Sequence, residues 1–316
     1  MSIYSLRAFL DAFGCCFAEA SKRSGRPRPG ASTHHGNHLR FAAPHLCGLM
    51  AGMDDPALLN LAADLARRAG SVILAVRARG FETRRKTDAS PITEADHAAE
   101  ALITEALRAA TPGIPVIAEE ETAAGHIAAE HHEYWLVDPL DGTREFAAGR
   151  DEFTVNIGLV RDGRVVLGAV GVPAFGELFG GLVGAPGTAN SAPGAPRAWK
   201  RTTAGERAIR ARVPPAEGVH VLASRHYSTD PRLEQFLRGR TVDSVTHMGS
   251  ALKIVRLAEG AGDLYPRFGR TMEWDTAAPH AVLEAAGGQI RGMDGSPMQY
   301  GKPGWENQPF VCTGRL

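Results

Sequence analysis

Apolar residues recur at three- and four-residue intervals from 56 to 79. Leu58, Leu59, Leu61, Ala62, Leu65, Ala69, Val72, Ile73 and Val76 fall on one side of a helical wheel, which predicts a helix. Pro56 suits its first turn, where a missing N–H costs no hydrogen bond. Residues 81–89 are polar and fit a short strand or a loop. The helical period returns with Ala98, Leu102, Ile103 and Leu107, predicting a helix over 93–110 that Thr111-Pro112-Gly113 stops.

The pattern then changes to short apolar runs. Residues 116–118 read as a buried strand ending in Glu119-Glu120-Glu121, and 134–137 as another ending in Asp138. Strands over 153–160 and 164–172 flank Asp162-Gly163, a hairpin signature, and 175–183 adds a third. Residues 184–198, rich in Gly, Pro and Ala, predict an exposed linking loop and the boundary between two halves. Beyond it, strands over 219–223, 241–245, 263–265 and 289–291 alternate with helices over 231–238, 250–259 and 275–286. The first half is therefore α+β (53–183) and the second α/β (199–316).

Residues 1–52 break this regularity. The stretch 21–29 is basic and rich in Gly and Pro, and His34, His35 and His38 follow without a hydrophobic period. An unordered extension is expected there, with Met53 as a candidate start. Residues 1–17 lack the basic head and long apolar core of a signal peptide.

With 316 residues and 44% hydrophobic content, the chain can bury a sizeable core. Its 35 Lys and Arg balance 35 Asp and Glu, so no global basic field exists to hold nucleic acid. An anionic ligand needs a local site. Cys15, Cys16, Cys47 and Cys312 form no CxxC pair, which suits a reducing compartment rather than a disulfide framework or a zinc site. No apolar run reaches the roughly 18 residues needed to span a bilayer. The expectation is a cytoplasmic monomer or homodimer, with peripheral association at the inner membrane face left open. His131-His132 and His280 lack ligand spacing and read as surface or core residues.

Chemistry concentrates at Asp138-Pro139-Leu140-Asp141-Gly142-Thr143, directly after the strand. Pro139 and Gly142 turn the chain sharply, so two carboxylates and the Leu140 carbonyl can face one point. Oxygen-only donors suit Mg²⁺. An ordinary Asx turn explains the hexapeptide equally well by itself. Glu119 and Glu120 at a strand end, Asp96 in a first helical turn and Asp275 at a helix start each have a bland reading when taken singly. Together they sit where α/β folds place ligands, and clustered carboxylates call for cations among them.

Segments 117–120 (IAEE), 135–143 (WLVDPLDGT) and 274–278 (WDTAA), with 90–96 (SPITEAD), resemble the metal-site motifs of the inositol monophosphatase superfamily. The resemblance covers roughly 56–313. It implies the layered αβαβα sugar-phosphatase fold of the inositol monophosphatase and fructose-1,6-bisphosphatase type. It also implies a lithium-sensitive phosphomonoester hydrolase with two or three Mg²⁺ per active site. Metal contacts carry over to Glu119 (with Glu120 as the alternative), Asp138, the Leu140 carbonyl, Asp141 and Asp275. Asp96 and Thr143 become the pair that orients an attacking water, so that Glu119, Asp96 and Thr143 form the catalytic set, and no phosphoenzyme is implied.

Segments 86–93, 141–146 (DGTREF), 152–157 (EFTVNI), 249–253 (GSALK), 265–269 (YPRFG) and 275–278 are similar to the 3′(2′),5′-bisphosphate nucleotidase branch. That branch converts 3′-phosphoadenosine 5′-phosphate to AMP in sulfate assimilation. Substrate contacts then fall to Gly142, Thr143, Arg144, Lys253, Arg267 and Asp275, the three cations answering a second phosphate. The alternatives are an inositol-1-phosphate or other sugar-phosphate phosphatase, and a non-catalytic member that binds a protein partner. Two departures from the pattern stand out: Met272-Glu273 before Trp274, and Pro279 after Ala278. With Asp275 as helix cap, Pro279 costs one bond near the helix end and brings a ring toward the pocket.

Overall fold

The computed structural model describes residues 53–85, 91–125, 131–183 and 198–315. The expected extension over 1–52, most of the loop over 184–198 and the first part of segment 86–93 lie outside the described residues.

Helix α1 (Asp55–Arg79) starts on Asp54, whose carboxylate accepts from Ala57 N at 2.9 Å. A short ladder of β1 (Thr83–Arg85) and β2 (Pro91–Thr93) leads into α2 (Glu94–Ala110). Next come β3 (Val116–Ala118), the one-turn helix α3 (Glu119–Ala123), β4 (Glu133–Asp141) and another short helix, α4 (Thr143–Ala147). The hairpin of β5 (Thr154–Arg161) and β6 (Arg164–Val172) forms around Asp162-Gly163 as expected, and β7 (Glu177–Leu182) follows.

Two strands had no periodic signal: β8 (Ala198–Thr202) and β9 (Gly205–Ala208), joined by a tight turn. Both extend the first sheet, whose order is β3-β4-β5-β6-β7-β8-β9. Ala198 therefore opens a strand instead of closing a loop. Its partner across the ladder is Gly181, so backbone pairing with β7 captures a stretch too polar to announce itself.

The second sheet holds β10 (Val219–Ser224), β11 (Val242–Met248), β12 (Leu264–Arg267), β13 (Gln289–Gly292) and β14 (Phe310–Thr313), in the order β11-β10-β12-β14-β13. Its helices are α5 (Pro231–Leu237), α6 (Leu252–Ala258) and α7 (Glu273–Ala285).

Helices α1 and α2 pack together, and α1 covers one face of the seven-strand sheet. Helix α7 covers the other and also touches α6 and β13, so it stands between the sheets. Its approach is close. A Cβ on Gly158 would lie 2.8 Å from Ala278 N, and one on Gly168 would lie 2.3 Å from Ala278 O. Only glycine leaves room for the helix there. Leu65, Ile73, Ile103, Leu107, Trp135 and Phe153 fill the core between α1, α2 and the sheet. This is the layered mixed-sheet architecture that the sequence implied.

One boundary differs with consequences. Helix α7 begins at Glu273, two residues before Asp275, which is therefore not the cap. Asp275 Oδ2 accepts from Met272 N at 2.9 Å, reaching back from the third helical position. Glu273, which is fully buried, accepts from Gly301 N at 2.8 Å and Lys302 N at 2.9 Å, tying the helix start to the loop before β14. Pro279 is buried inside α7 and is not among the residues lining the pocket that contains Asp275.

Candidate active site

Strands β3 and β4 are parallel and end side by side, which brings Glu119 beside the Asp138–Thr143 turn. Within β4, Asp138 pairs with Asn156 and Asp141 with Thr154. Three steps on one strand thus match two on the other. In a regular strand, residues three apart face opposite sides. The bulge at Pro139-Leu140 cancels that alternation and turns both carboxylates to one face. Gly142 then takes φ 93°, where an added Cβ would sit 2.9 Å from Glu152 O, so the turn needs glycine.

Glu119, Asp138, Leu140, Asp141, Gly142, Thr143 and Asp275 line one pocket of about 520 Å³. Arg144, Lys253 and Arg267 line it too. Of the adjacent acids, Glu119 lines this pocket, whereas Glu120 is buried and does not line it. Asp96, 1% exposed, does not reach the wall. Its Oδ1 accepts from the Thr143 hydroxyl at 3.0 Å, while Oδ2 takes Thr93 N at 2.8 Å and the Thr93 hydroxyl at 2.7 Å. One carboxylate both closes the capping box of α2 and holds Thr143. The Thr143 hydroxyl also lies 3.0 Å from Leu140 O, so its single proton is shared between two acceptors.

The acids repel one another. Burial first, then the Asp141 and Glu119 charges, push the Asp275 carboxyl up to about 8. Asp141 is raised by burial and by Glu119, against the lowering influence of Lys253 and the Ala251 amide. Each of the three aspartates gives one oxygen to a backbone N–H: Asp138 to Leu140 at 3.0 Å, Asp141 to Ala251, Asp275 to Met272. Among the described residues, no three His, Cys, Asp or Glu side chains stand close enough to cage an ion. The carboxylates share a wall rather than a cage. An all-oxygen donor set in which neighbouring negative charge helps hold the Asp141 and Asp275 carboxyls up fits a hard divalent cation such as Mg²⁺, which would relieve that repulsion.

The cations have different surroundings. Lys253, 2% exposed, donates to Ser250 O at 2.6 Å and Met248 O at 3.1 Å. Burial and then Arg267 bring its ammonium down to about 8. Arg267 lies over the Tyr227 ring and donates to Arg270 O at 2.9 Å. The exposed Arg144 is 2.7 Å from His226 Nε2. His226, Tyr227 and the buried Glu145 also line the pocket; no motif in the sequence covered the first two, and Glu145 lay within the DGTREF segment without a role. Glu145 directly follows the recognised turn on α4, and helical phase from Thr143 was the available signal.

A profile of the family described as "Inositol monophosphatase family" matches residues 54–311. The chain is 40% identical over 245 residues to the 3′(2′),5′-bisphosphate nucleotidase CysQ of Salmonella typhimurium, covering 77% of this chain and 94% of that protein. The crystal structure of CysQ from Bacteroides thetaiotaomicron aligns with TM-score 0.65 and 29% identity, over 82% of this chain and 97% of that one. An inositol monophosphatase structure from Anabaena shares the fold, with TM-score 0.63 and 24% identity over 82% of this chain and 91% of the other. On the extent of the profile match and of the similarity to its relatives, this chain belongs to the inositol monophosphatase family.

Proposed function

We propose that this chain is a Mg²⁺-dependent phosphomonoester hydrolase acting on a 3′(2′),5′-bisphosphate nucleotide, with 3′-phosphoadenosine 5′-phosphate converted to AMP and phosphate. One observation carries the proposal: four acids, Glu119, Asp138, Asp141 and Asp275, line the same pocket as Arg144, Lys253 and Arg267. Acids alone would suit a metal, and cations alone an anion. Side by side they suit a metal-held phosphate ester that carries further negative charge.

Glu119, Asp138, Asp141, Asp275 and the Leu140 carbonyl would hold Mg²⁺, which when bound supplies Lewis acidity toward water and the ester oxygens. The Thr143 hydroxyl, fixed by Asp96, can accept from a water while donating to the carboxylate, and so orients the nucleophile. Backbone N–H groups at Gly142 and Thr143, where the left-handed turn opens α4, would donate to the phosphate oxygens. The two Arg side chains and Lys253 hold the second phosphate. Among the described residues no helix is long and apolar enough to cross a membrane, and we place the protein in the cytoplasm on its cysteine usage.

Phosphate release from 3′-phosphoadenosine 5′-phosphate and from inositol 1-phosphate, each with and without Mg²⁺, tests the proposal. We expect Mg²⁺-dependent turnover of the nucleotide with kcat/KM at least about tenfold higher, the scale of one good charged contact. A preference for inositol 1-phosphate overturns the substrate, and metal-independent turnover overturns the site. Millimolar Li⁺ should inhibit.

A further inference from the structure

Helix α3, which opens with Glu119, has no cap of its own. Its N-cap position is Ala118, a residue without a side-chain acceptor. Five residues also make too short a helix to hold itself together. The missing acceptor comes from elsewhere in the chain. Glu100 Oε2 accepts from Glu120 N at 2.8 Å, and Oε1 from Glu121 N at 3.0 Å. These are the N–H groups that a Ser, Thr or Asp cap would normally satisfy.

Glu100 stands one turn after Asp96 on α2, so both point from the same face. Asp96 grips the β4 turn through Thr143 at 3.0 Å. Glu100 grips the end of β3. One helix face thus clamps both strand ends that carry pocket acids. Glu100 is 5% exposed and does not line the pocket itself. Its burial beside Glu119 and Glu121 is costly for a carboxylate, and burial raises its pKa to about 7. A purely stabilising cap would be supplied more cheaply by Ser at position 118.

We infer that Glu100 is a positioning residue for metal binding: as a remote N-cap of α3 it fixes the direction in which Glu119 presents its carboxylate. The inference rests on the metal-dependent function proposed above.

The test is a calorimetric titration of the full-length wild type, Glu100→Gln and Glu100→Ala with Mg²⁺ alone, alongside kcat at saturating Mg²⁺ and metal-free melting curves. Loss of an outer-shell contact of this kind weakens metal affinity about 10–100-fold. We expect that loss for Glu100→Ala and a smaller one, about three- to tenfold, for Glu100→Gln, which keeps one acceptor. At saturating Mg²⁺, kcat should stay within about threefold of wild type. Should Glu100→Ala not fold, the nearly isosteric Glu100→Gln decides. A Kd for Mg²⁺ less than about threefold above wild type overturns the inference, whatever the melting temperature does. Wild type that binds no Mg²⁺ sinks the metal scheme itself, whereas wild type that binds beside an unaffected variant sinks only the role of Glu100.

Discussion

Asp275 carries the pH dependence expected of the metal-free protein. Its folded-state pKa of about 8 lies above the ordinary carboxylate value of 3.8, so the folded state holds the extra proton. Stability then falls as pH rises between those two values, because the folded protein binds more protons there than the unfolded chain. Bound Mg²⁺ would take the place of the proton as the source of compensation. Melting temperature without Mg²⁺ should therefore drop from pH 5 to pH 8, and Mg²⁺ should raise it more at pH 8 than at pH 5. A Mg²⁺ shift that is equal at both pH values would refute the mutual-repulsion account. Asp141→Asn, which removes an acid from the wall while keeping its acceptor for Ala251 N, should cut kcat at least about a thousandfold with the fold intact by circular dichroism. At this scale the motifs were readable and the geometry was not. The resemblance favoured Glu119 of IAEE over Glu120, and the structure places Glu119 on the pocket wall with Glu120 buried off it. Lys253 stood out as a phosphate contact, yet its ammonium also holds the carbonyls of Met248 and Ser250, five and three residues back, through a local turn that apolar spacing does not reveal.

Helix α7 is the element on which the site depends. It carries Asp275, and Gly158 and Gly168 set how near it lies to the sheet. Gly168→Ala would drive a methyl group into Ala278 O, so we expect a loss on the order of 3 kcal/mol, read by urea denaturation, together with weaker Mg²⁺ binding as Asp275 shifts. His280 on the same helix is buried, accepts or donates to the Tyr300 hydroxyl at 2.9 Å, and has its pKa pushed down to about 4 by burial. A neutral ring is favoured in the fold, so its contribution is present above pH 6.5 and is lost as pH falls toward 4. The loss approaches about 3 kcal/mol for such a shift. Melts in Mg²⁺ from pH 7 to pH 4 should show a shallower decline for His280→Gln than for wild type. Helices α1 and α2 and the β5–β6 hairpin were legible because each has a period or a turn signal of its own. The start of α7 was not, since Asp275 works from the third helical position by reaching back to Met272 N, and an acid at that point looks the same in sequence as a cap.

Across the whole molecule, the family match begins at residue 54, so a chain lacking residues 1–52 should keep full phosphate release. Loss of turnover on that deletion would assign the segment a part in catalysis. The sheet boundary falls between Ala208 and Val219, beyond the Gly- and Pro-rich stretch, because β8 pairs with β7 and β9 with β8. Composition can mark a loop but not which sheet the next strand joins. By itself the sequence determined the class of fold, the helices and hairpin of the first half, and the acids that the chemistry requires, since hydrophobic period and turn residues act within a few positions. Tertiary structure alone decided that Asp138 and Asp141 share a face, that β3 and β4 end side by side so that Glu119 meets them, and that Glu100 caps a helix twenty residues away. Those outcomes come from a bulge, a parallel strand pairing and a buried contact between elements, and such contacts exist only once the chain has closed on itself.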